Sequence, residues 1–158
     1  MQIKYLADCP DCLPVLARWH HQEWLCYNPG DSLAKRIERM REHLGRRRVP
    51  TTFVALSDTD GQPLGSAALV AHDMSTRMDL TPWLASVFVA PEYRRRGIAS
   101  ALVRRVVQEA ADLGVPRLFL FTPDQQNLYA RLGWQTIERA QYMGEAVVVM
   151  ELTIRPIS

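Results

Sequence analysis

Apolar residues recur along this chain in two rhythms. Leu33, Ile37, Met40 and Leu44 fall at i, i+4, i+7 and i+11 with charge on the other face, and Ser32 precedes them. That spacing predicts an amphipathic helix, N-capped by the serine hydroxyl and stopped at Gly45. The same period returns after Gly97, where Ile98, Leu102, Val106, Ala110 and Leu113 line one side, widened by Val103 and Val107. Arg104, Arg105, Gln108 and Asp112 are expected to face away, and Gly114 is the stop. A further helix is predicted from about Leu13 to Trp24.

The second rhythm is the short β-branched or aromatic run bounded by turn residues. It predicts strands at Ile3–Leu6, Thr51–Leu56, Leu64–Ala71, Leu84–Val89, Arg117–Phe121, Trp134–Ile137 and Ala146–Ile154. Asp60-Gly61 is a hairpin signal between the second and third of these. The long helix between Leu84–Val89 and Arg117–Phe121 predicts a parallel, right-handed crossover. Thr122-Pro123-Asp124-Gln125 reads as a capping box opening a short helix that turns Leu128, Tyr129 and Leu132 inward and ends at Gly133. The last two strands are expected to form an antiparallel pair. No repeat, linker or low-complexity tract interrupts the pattern, so residues 1–158 are read as a single domain.

One junction carries candidate chemistry by physics alone. The Leu84–Val89 strand ends at Pro91, and Arg94, Arg95, Arg96 and Gly97 then lead into the long helix. Loop and first-turn N–H groups have no internal partner, the helix dipole adds partial positive charge and the arginines add formal charge. Phosphate fits such a place.

The same residues carry a resemblance. Arg94-x-x-Gly97-x-Ala99 matches the R/Q-x-x-G-x-G/A signature of the GNAT superfamily of acetyl-CoA-dependent N-acyltransferases, and Val87-Phe88-Val89-Ala90-Pro91-Glu92-Tyr93 is similar to its strand-to-loop lead-in. The resemblance implies an α/β (α+β) fold, a mixed, mostly antiparallel sheet of about six to seven strands flanked by about four helices. It implies acetyl-CoA as cofactor, with the pyrophosphate at Arg95, Arg96, Gly97, Ile98, Ala99 and Ser100 beside Arg94. The pantetheine arm would pair with backbone groups of Val87 and Val89, where two parallel strands splay apart. A backbone N–H near Phe88 would receive the oxyanion.

Tyr129 stands in Leu128-Tyr129-Ala130-Arg131-Leu132-Gly133-Trp134, similar to the L-Y-x-x-L-G-F/W motif that holds the family's general acid. A phenol of pKa about 10 stays protonated at neutral pH and can supply a proton to a departing thiolate. Many family members place a cofactor-binding asparagine two helical turns before that tyrosine; here the slot falls at Thr122, which is taken as its substitute. The activity implied is transfer of acetyl to a primary amine in a ternary complex. The alternative is an acyl-CoA-binding sensor without turnover, which an active Tyr129 would separate from an enzyme.

The acceptor pocket is expected to use Glu23, Trp24, Asp79 and Trp83, the aromatics for shape and the acids for attraction of a cation. His72, Asp73, Arg77 and Asp79 are loop candidates for substrate contact within His72–Pro82. The general base stays open among Glu23, Asp73 and Asp79. Trp134 is expected in the core.

Composition changes little in this picture. With 47% hydrophobic and 23% charged residues and a net charge of +2, nothing argues for nucleic acid on the whole-chain balance. Arg46-Arg47-Arg48 reads as a solvated loop. No apolar run reaches membrane-span length and MQIKYLADCP lacks the apolar core of a signal peptide, so no membrane is expected and the location expected is cytoplasmic. Three cysteines, an odd number, fit reduced thiols. Cys9-Pro10-Asp11-Cys12 lacks the second ligand pair of a structural zinc site, so no metal is expected. A homodimer is left open.

Overall fold

A computed structural model describes residues 1–154; the last four positions of the expected domain lie outside the described residues. Seven strands form one sheet: β1 (Gln2–Tyr5), β2 (Thr51–Leu56), β3 (Pro63–Val70), β4 (Trp83–Val89), β5 (Arg117–Thr122), β6 (Gln135–Tyr142) and β7 (Glu145–Thr153). Their order is β1-β2-β3-β4-β5-β7-β6, and every neighbouring pair is antiparallel except β4 with β5. The described residues also form four α-helices: α1 (Leu13–Trp24), α2 (Leu33–Met40), α3 (Ile98–Asp112) and α4 (Gln126–Arg131).

The continuous apolar run of β2 is explained by burial on both faces. Phe53 and Ala55 join the core under α3, while Val54 and Leu56 pack with Leu13, Leu16 and Met40 of α1 and α2. The sheet is thus sandwiched between α3 and the α1–α2 pair. On α3 the predicted stripe is buried at Ile98, Leu102, Val103, Val106 and Ala110.

Leu113, expected inward, is 38% exposed, since it caps the helix beyond the sheet edge. Arg105, expected outward, lies 4.3 Å from the Phe53 ring centroid and pairs with Glu109 at 3.1 Å. Glu109 is itself buried and accepts the Tyr5 hydroxyl (2.9 and 2.8 Å) and the Arg47 N–H (3.1 Å). These positions follow Leu102 at i+3 and i+7, so they sit on the covered side, and the charge survives there because it is paired.

Three boundaries moved for local reasons. α2 gives way at Arg41–His43 to a 3₁₀ turn before Leu44. α4 begins at Gln126, not at Pro123: the Thr122 hydroxyl does accept the Gln125 N–H (2.9 Å), but Gln125 has φ −110° and ψ 23°, which is not helical. β6 runs to Tyr142 and turns at Met143-Gly144, with φ of 51° and 83°. Two left-handed residues make the turn that suits a tight hairpin, and methionine hides the usual Asn-Gly signal.

Two features of β4 position the site. It pairs with β5 at one register only, Trp83 with Phe119, after which the strands part. It also carries a bulge against β3, between Ser66 and Ala68, with Ser86 at φ 54°. Opposite this segment, Gly65 lies so close that a Cβ would stand 2.6 Å from the Phe88 carbonyl oxygen, which explains glycine in a strand interior.

Candidate active site

The gap between β4 and β5 opens into a cleft of about 970 Å³. Its walls include Val87, Phe88, Val89, Arg94, Arg95, Gly97, Ile98, Ala99, Ser100, Thr122 and Tyr129, together with Glu23 and Trp24. Thirteen residues expected at the site therefore meet there, drawn from α1, β4, the loop from β4 to α3, α3, β5 and α4. Trp83, Asp79 and Arg96 do not.

Trp83 is fully buried, with its indole N–H donating to the Leu80 carbonyl (2.7 Å) and its ring against Phe119. It is core, because the first residue of β4 lies where β4 and β5 still pair. Truncating it removes a buried aromatic, so Trp83→Ala is expected to lower stability by about 3–5 kcal/mol in urea unfolding. Ligand binding to the surviving folded fraction should persist, which an acceptor-wall role would not allow. Asp79 is exposed and chelated by Arg77 (3.1 and 3.2 Å), which also holds Glu138 (2.7 Å). That clamp ties the His72–Pro82 connection to β6 and points Asp79 away from the cleft. Arg96 stacks over Tyr93 at 5.9 Å and does not line the cleft.

The corner itself is a run of free amides. Arg95 and Gly97 both adopt left-handed conformations (φ 64° and 80°), which folds the loop into a concavity of backbone N–H groups. Among the described residues, no N–H of Arg95 through Ser100 finds a chain partner; the first to do so is Ala101, bonded to the Gly97 carbonyl (3.1 Å). A Cβ on Gly97 would meet no protein atom within 4 Å, so the space in front of it is open. Arg94 is held by Nε donation to the Val89 carbonyl (2.8 Å), with its guanidinium 5.6 Å from the Phe88 ring.

Backbone alternation decides which β4 groups face the gap. The Ala90 N–H bonds to the Leu64 carbonyl on β3, so Phe88, two residues earlier, also turns its amide toward β3, opposite Ser66. The open-edge amides are those of Val87 and Val89. The free N–H groups near Phe88 are thus those of its two neighbours, while the Phe88 side chain packs among Trp19, His20 and Trp24.

The bulge is braced from beneath. Ser66 Oγ donates to the Ser86 carbonyl (3.3 Å) and lies 2.8 Å from His20 Nε2. With the hydroxyl proton used there, His20 must donate through Nε2, which makes it the Nε2–H tautomer. Burial, then the charge of Arg36, holds its pKa well below the ordinary value, so the ring is neutral.

Tyr129 sits on the opposite wall, 7% exposed, its ring edge-on to Trp134 at 6.1 Å. Trp134 is core, as its burial requires. Burial first, and Asp124 second, push the Tyr129 phenol well above its usual pKa, so it keeps its proton at neutral pH. Asp73 also reaches the cleft. Burial raises its carboxyl from 3.8 to about 7, against the pull of Arg36.

Arg36 is the residue that periodicity did not reveal. Its Nη2 donates to Ser86 Oγ (3.3 Å) at the bulge, and its Nε is buried without a partner. A signal existed: Leu33, Arg36, Ile37 and Met40 fall at i, i+3, i+4 and i+7, so the arginine interrupts the apolar stripe of α2. Cys9 and Cys12 lie elsewhere, half-exposed; burial and then Cys12 push the Cys9 thiol up to about 12, far from a reactive thiolate. Among the described residues, no three His, Cys, Asp or Glu side chains gather as a metal would need. No helix there is long and apolar enough to cross a membrane.

A mixed sheet whose central parallel strands part over an amide-lined corner defines an α/β class that binds an extended anionic ligand. The chain belongs to the acetyltransferase (GNAT) family, whose profile matches residues 16–134. An uncharacterized N-acetyltransferase, YafP, of Escherichia coli (strain K12) is 27% identical over 101 residues, 64% of this chain and 55% of that protein. The thialysine N-epsilon-acetyltransferase of Bos taurus is 32% identical over 89 residues, 51% of this chain and 52% of that protein. The chain thus spans about half the length of the curated relatives it matches. The fold is also that of an aminoglycoside 6'-N-acetyltransferase crystallised with coenzyme A, at a TM-score of 0.77 and 16% identity, covering 100% of this chain and 99% of that one.

Proposed function

We propose that this chain is an N-acetyltransferase that moves acetyl from acetyl-CoA to a primary amine by direct attack in a ternary complex. The observation that carries it is the splayed β4–β5 gap, closed at one end by unpartnered amides and at the other by a protonated phenol. Family membership supports the same reading. Acetyl-CoA would supply a thioester, an acyl group activated toward amines.

The residues divide the work as follows. The N–H groups of Arg95 through Ser100, with Arg94 and Arg95, hold the diphosphate, helped by the α3 dipole. Val87 and Val89 offer the free strand edge to the pantetheine amides and an N–H to the oxyanion. Thr122 ends β5 at the cleft rim and keeps its hydroxyl on the Gln125 N–H. Asp73 takes a proton from the acceptor ammonium. The amine would then form the C–N bond and shed its second proton to solvent as the C–S bond breaks, with the Tyr129 hydroxyl passing its own proton to the leaving sulfur and regaining one from solvent. Glu23 and Trp24 border the acceptor entrance. The setting proposed is cytoplasmic.

The cofactor assignment is tested at Gly97. A β-branched side chain there strains φ 80° by about 1–2 kcal/mol and projects into the space in front of the loop. Gly97→Val is expected to stay folded and to weaken coenzyme A at least about tenfold by calorimetry, a loss of about 1.4 kcal/mol. Undiminished binding would remove the diphosphate from this corner. Thiol release with acetyl-CoA over a panel of amines tests transfer; the sensor alternative predicts binding with none.

A further inference from the structure

A second cavity of about 420 Å³ opens off the cleft at the β4 bulge, sharing Asn28, Arg36, Asp73, Ala85 and Ser86 with it. It lies on the α1–α2 side, away from the diphosphate corner, where an acceptor would meet the acyl end of the cofactor. Two arginines of α2 face it. Arg39 is already matched, forked onto Asp31 through two bonds of 2.9 and 2.6 Å. Arg36 is not. Among the described residues it has no carboxylate within ion-pair distance, one long bond to Ser86 Oγ (3.3 Å) and a buried, partnerless Nε. A half-buried guanidinium with most of its five donors unused lacks an anion.

The other faces of the cavity are consistent with one. His43 bonds Thr52 Oγ1 through Nδ1 (2.8 Å), and burial lowers its pKa to about 4; with the neutral His20 it adds no charge. Glu42 and His72 are exposed at the rim, where water screens them. That leaves one cation, Arg36, and one carboxylate, Asp73, that feel each other's charge yet form no salt bridge among the described residues. The pair suits a small molecule carrying both charges. A polycation would press ammonium groups on Arg36, and a simple alkylamine would leave it bare.

We propose that the acceptor is an amino carboxylate of free amino-acid size, its carboxylate forked onto Arg36 and its amine facing Asp73. This rests on the transferase reading and narrows its substrate. The planar guanidinium matches a carboxylate through two parallel bonds, and a single unmatched arginine suits a monoanion.

The test compares free L-amino acids with their α-carboxamides, with spermidine and kanamycin alongside, in acetyl-CoA thiol release. The same amino acids and amides are also titrated calorimetrically into the protein saturated with coenzyme A. Expected is a preference of about tenfold to a hundredfold for the carboxylate in kcat/KM and in binding, the range of a charge-assisted hydrogen bond. Arg36→Gln should cut that preference to about twofold while coenzyme A affinity holds. Amides, spermidine or kanamycin equal to or better than the amino acids in the native protein overturn the proposal and leave the transferase standing; this comparison needs no variant. A preference that survives Arg36→Gln also overturns it. Carboxylate-selective binding without turnover keeps the assignment of the cavity and removes the transferase, and no binding with no turnover removes both.

Discussion

Replacing Tyr129 by Phe is expected to lower kcat about a hundredfold to ten-thousandfold, the range of a positioned general acid, with the affinity for coenzyme A unchanged. The substitution removes one oxygen and keeps the ring, so the edge-on packing against Trp134 survives and melting should hardly move. The effect is large because water is a poor substitute at this wall. Tyr129 is 7% exposed and lines the cleft. The raised phenol pKa has a consequence for pH: the acid stays loaded across the neutral range, so Tyr129 produces no falling limb until strongly alkaline pH. Pre-steady-state measurement of thiol release separates this from slow product departure. A Tyr129→Phe enzyme as fast as the native one would take the phenol out of the mechanism.

Asp73→Asn carries the second large effect, and its signature is a pair of opposite changes. As a base the carboxyl must be ionised, so native kcat/KM should rise with pH through about 7 and fall away below it. The asparagine variant should lose about a hundredfold at pH 8 and show no such limb. Stability should move the other way. The folded carboxyl holds its proton more tightly than the unfolded one, about 7 against 3.8, so the folded state binds more protons between those values and stability falls as pH rises through them. At pH 8 the native protein bears the full cost of an ionised, half-buried Asp73, and Asp73→Asn does not. A variant with less activity and a higher melting temperature at pH 8, but not at pH 4, is the expected result. Arg36, Arg39 with Asp31, His20, His43, His72 and Glu42 also face this region. Burial keeps His20 and His43 neutral by lowering their pKa values, so neither answers the ionisation of Asp73 with a charge of its own.

Much of this site was legible because its parts are neighbours in the chain. Arg94 through Ser100 is one loop and one helix turn, and the amides it offers follow from where a strand stops and a helix starts. Tyr129 follows the end of β5 by a few residues. What failed were residues assigned by type and proximity to a loop. Trp83 and Asp79 flank the same connection, yet one anchors the paired start of β4 and the other is tied up by Arg77. Arg96, beside two cleft residues, turns onto Tyr93 instead. Phe88 kept its side chain at the site and lost its amide to β3. The reverse case was Arg36, not singled out although its spacing set it among Leu33, Ile37 and Met40.

The amino-acid sequence by itself determined the elements, the parallel crossover and the amide-lined corner before α3, since each depends on interactions within a few turns of backbone. Helix period, strand alternation and glycine conformation are local energies. Which side of the gap each β4 amide faces, that Asp73 and Arg36 meet at one cavity without pairing, and that His20 braces the bulge were decided only in the tertiary structure. These depend on register, on the divergence of β4 from β5 and on desolvation by segments up to fifty residues away. Burial is the reason: it sets which charges are left unmatched, and no residue carries its burial in its own letter.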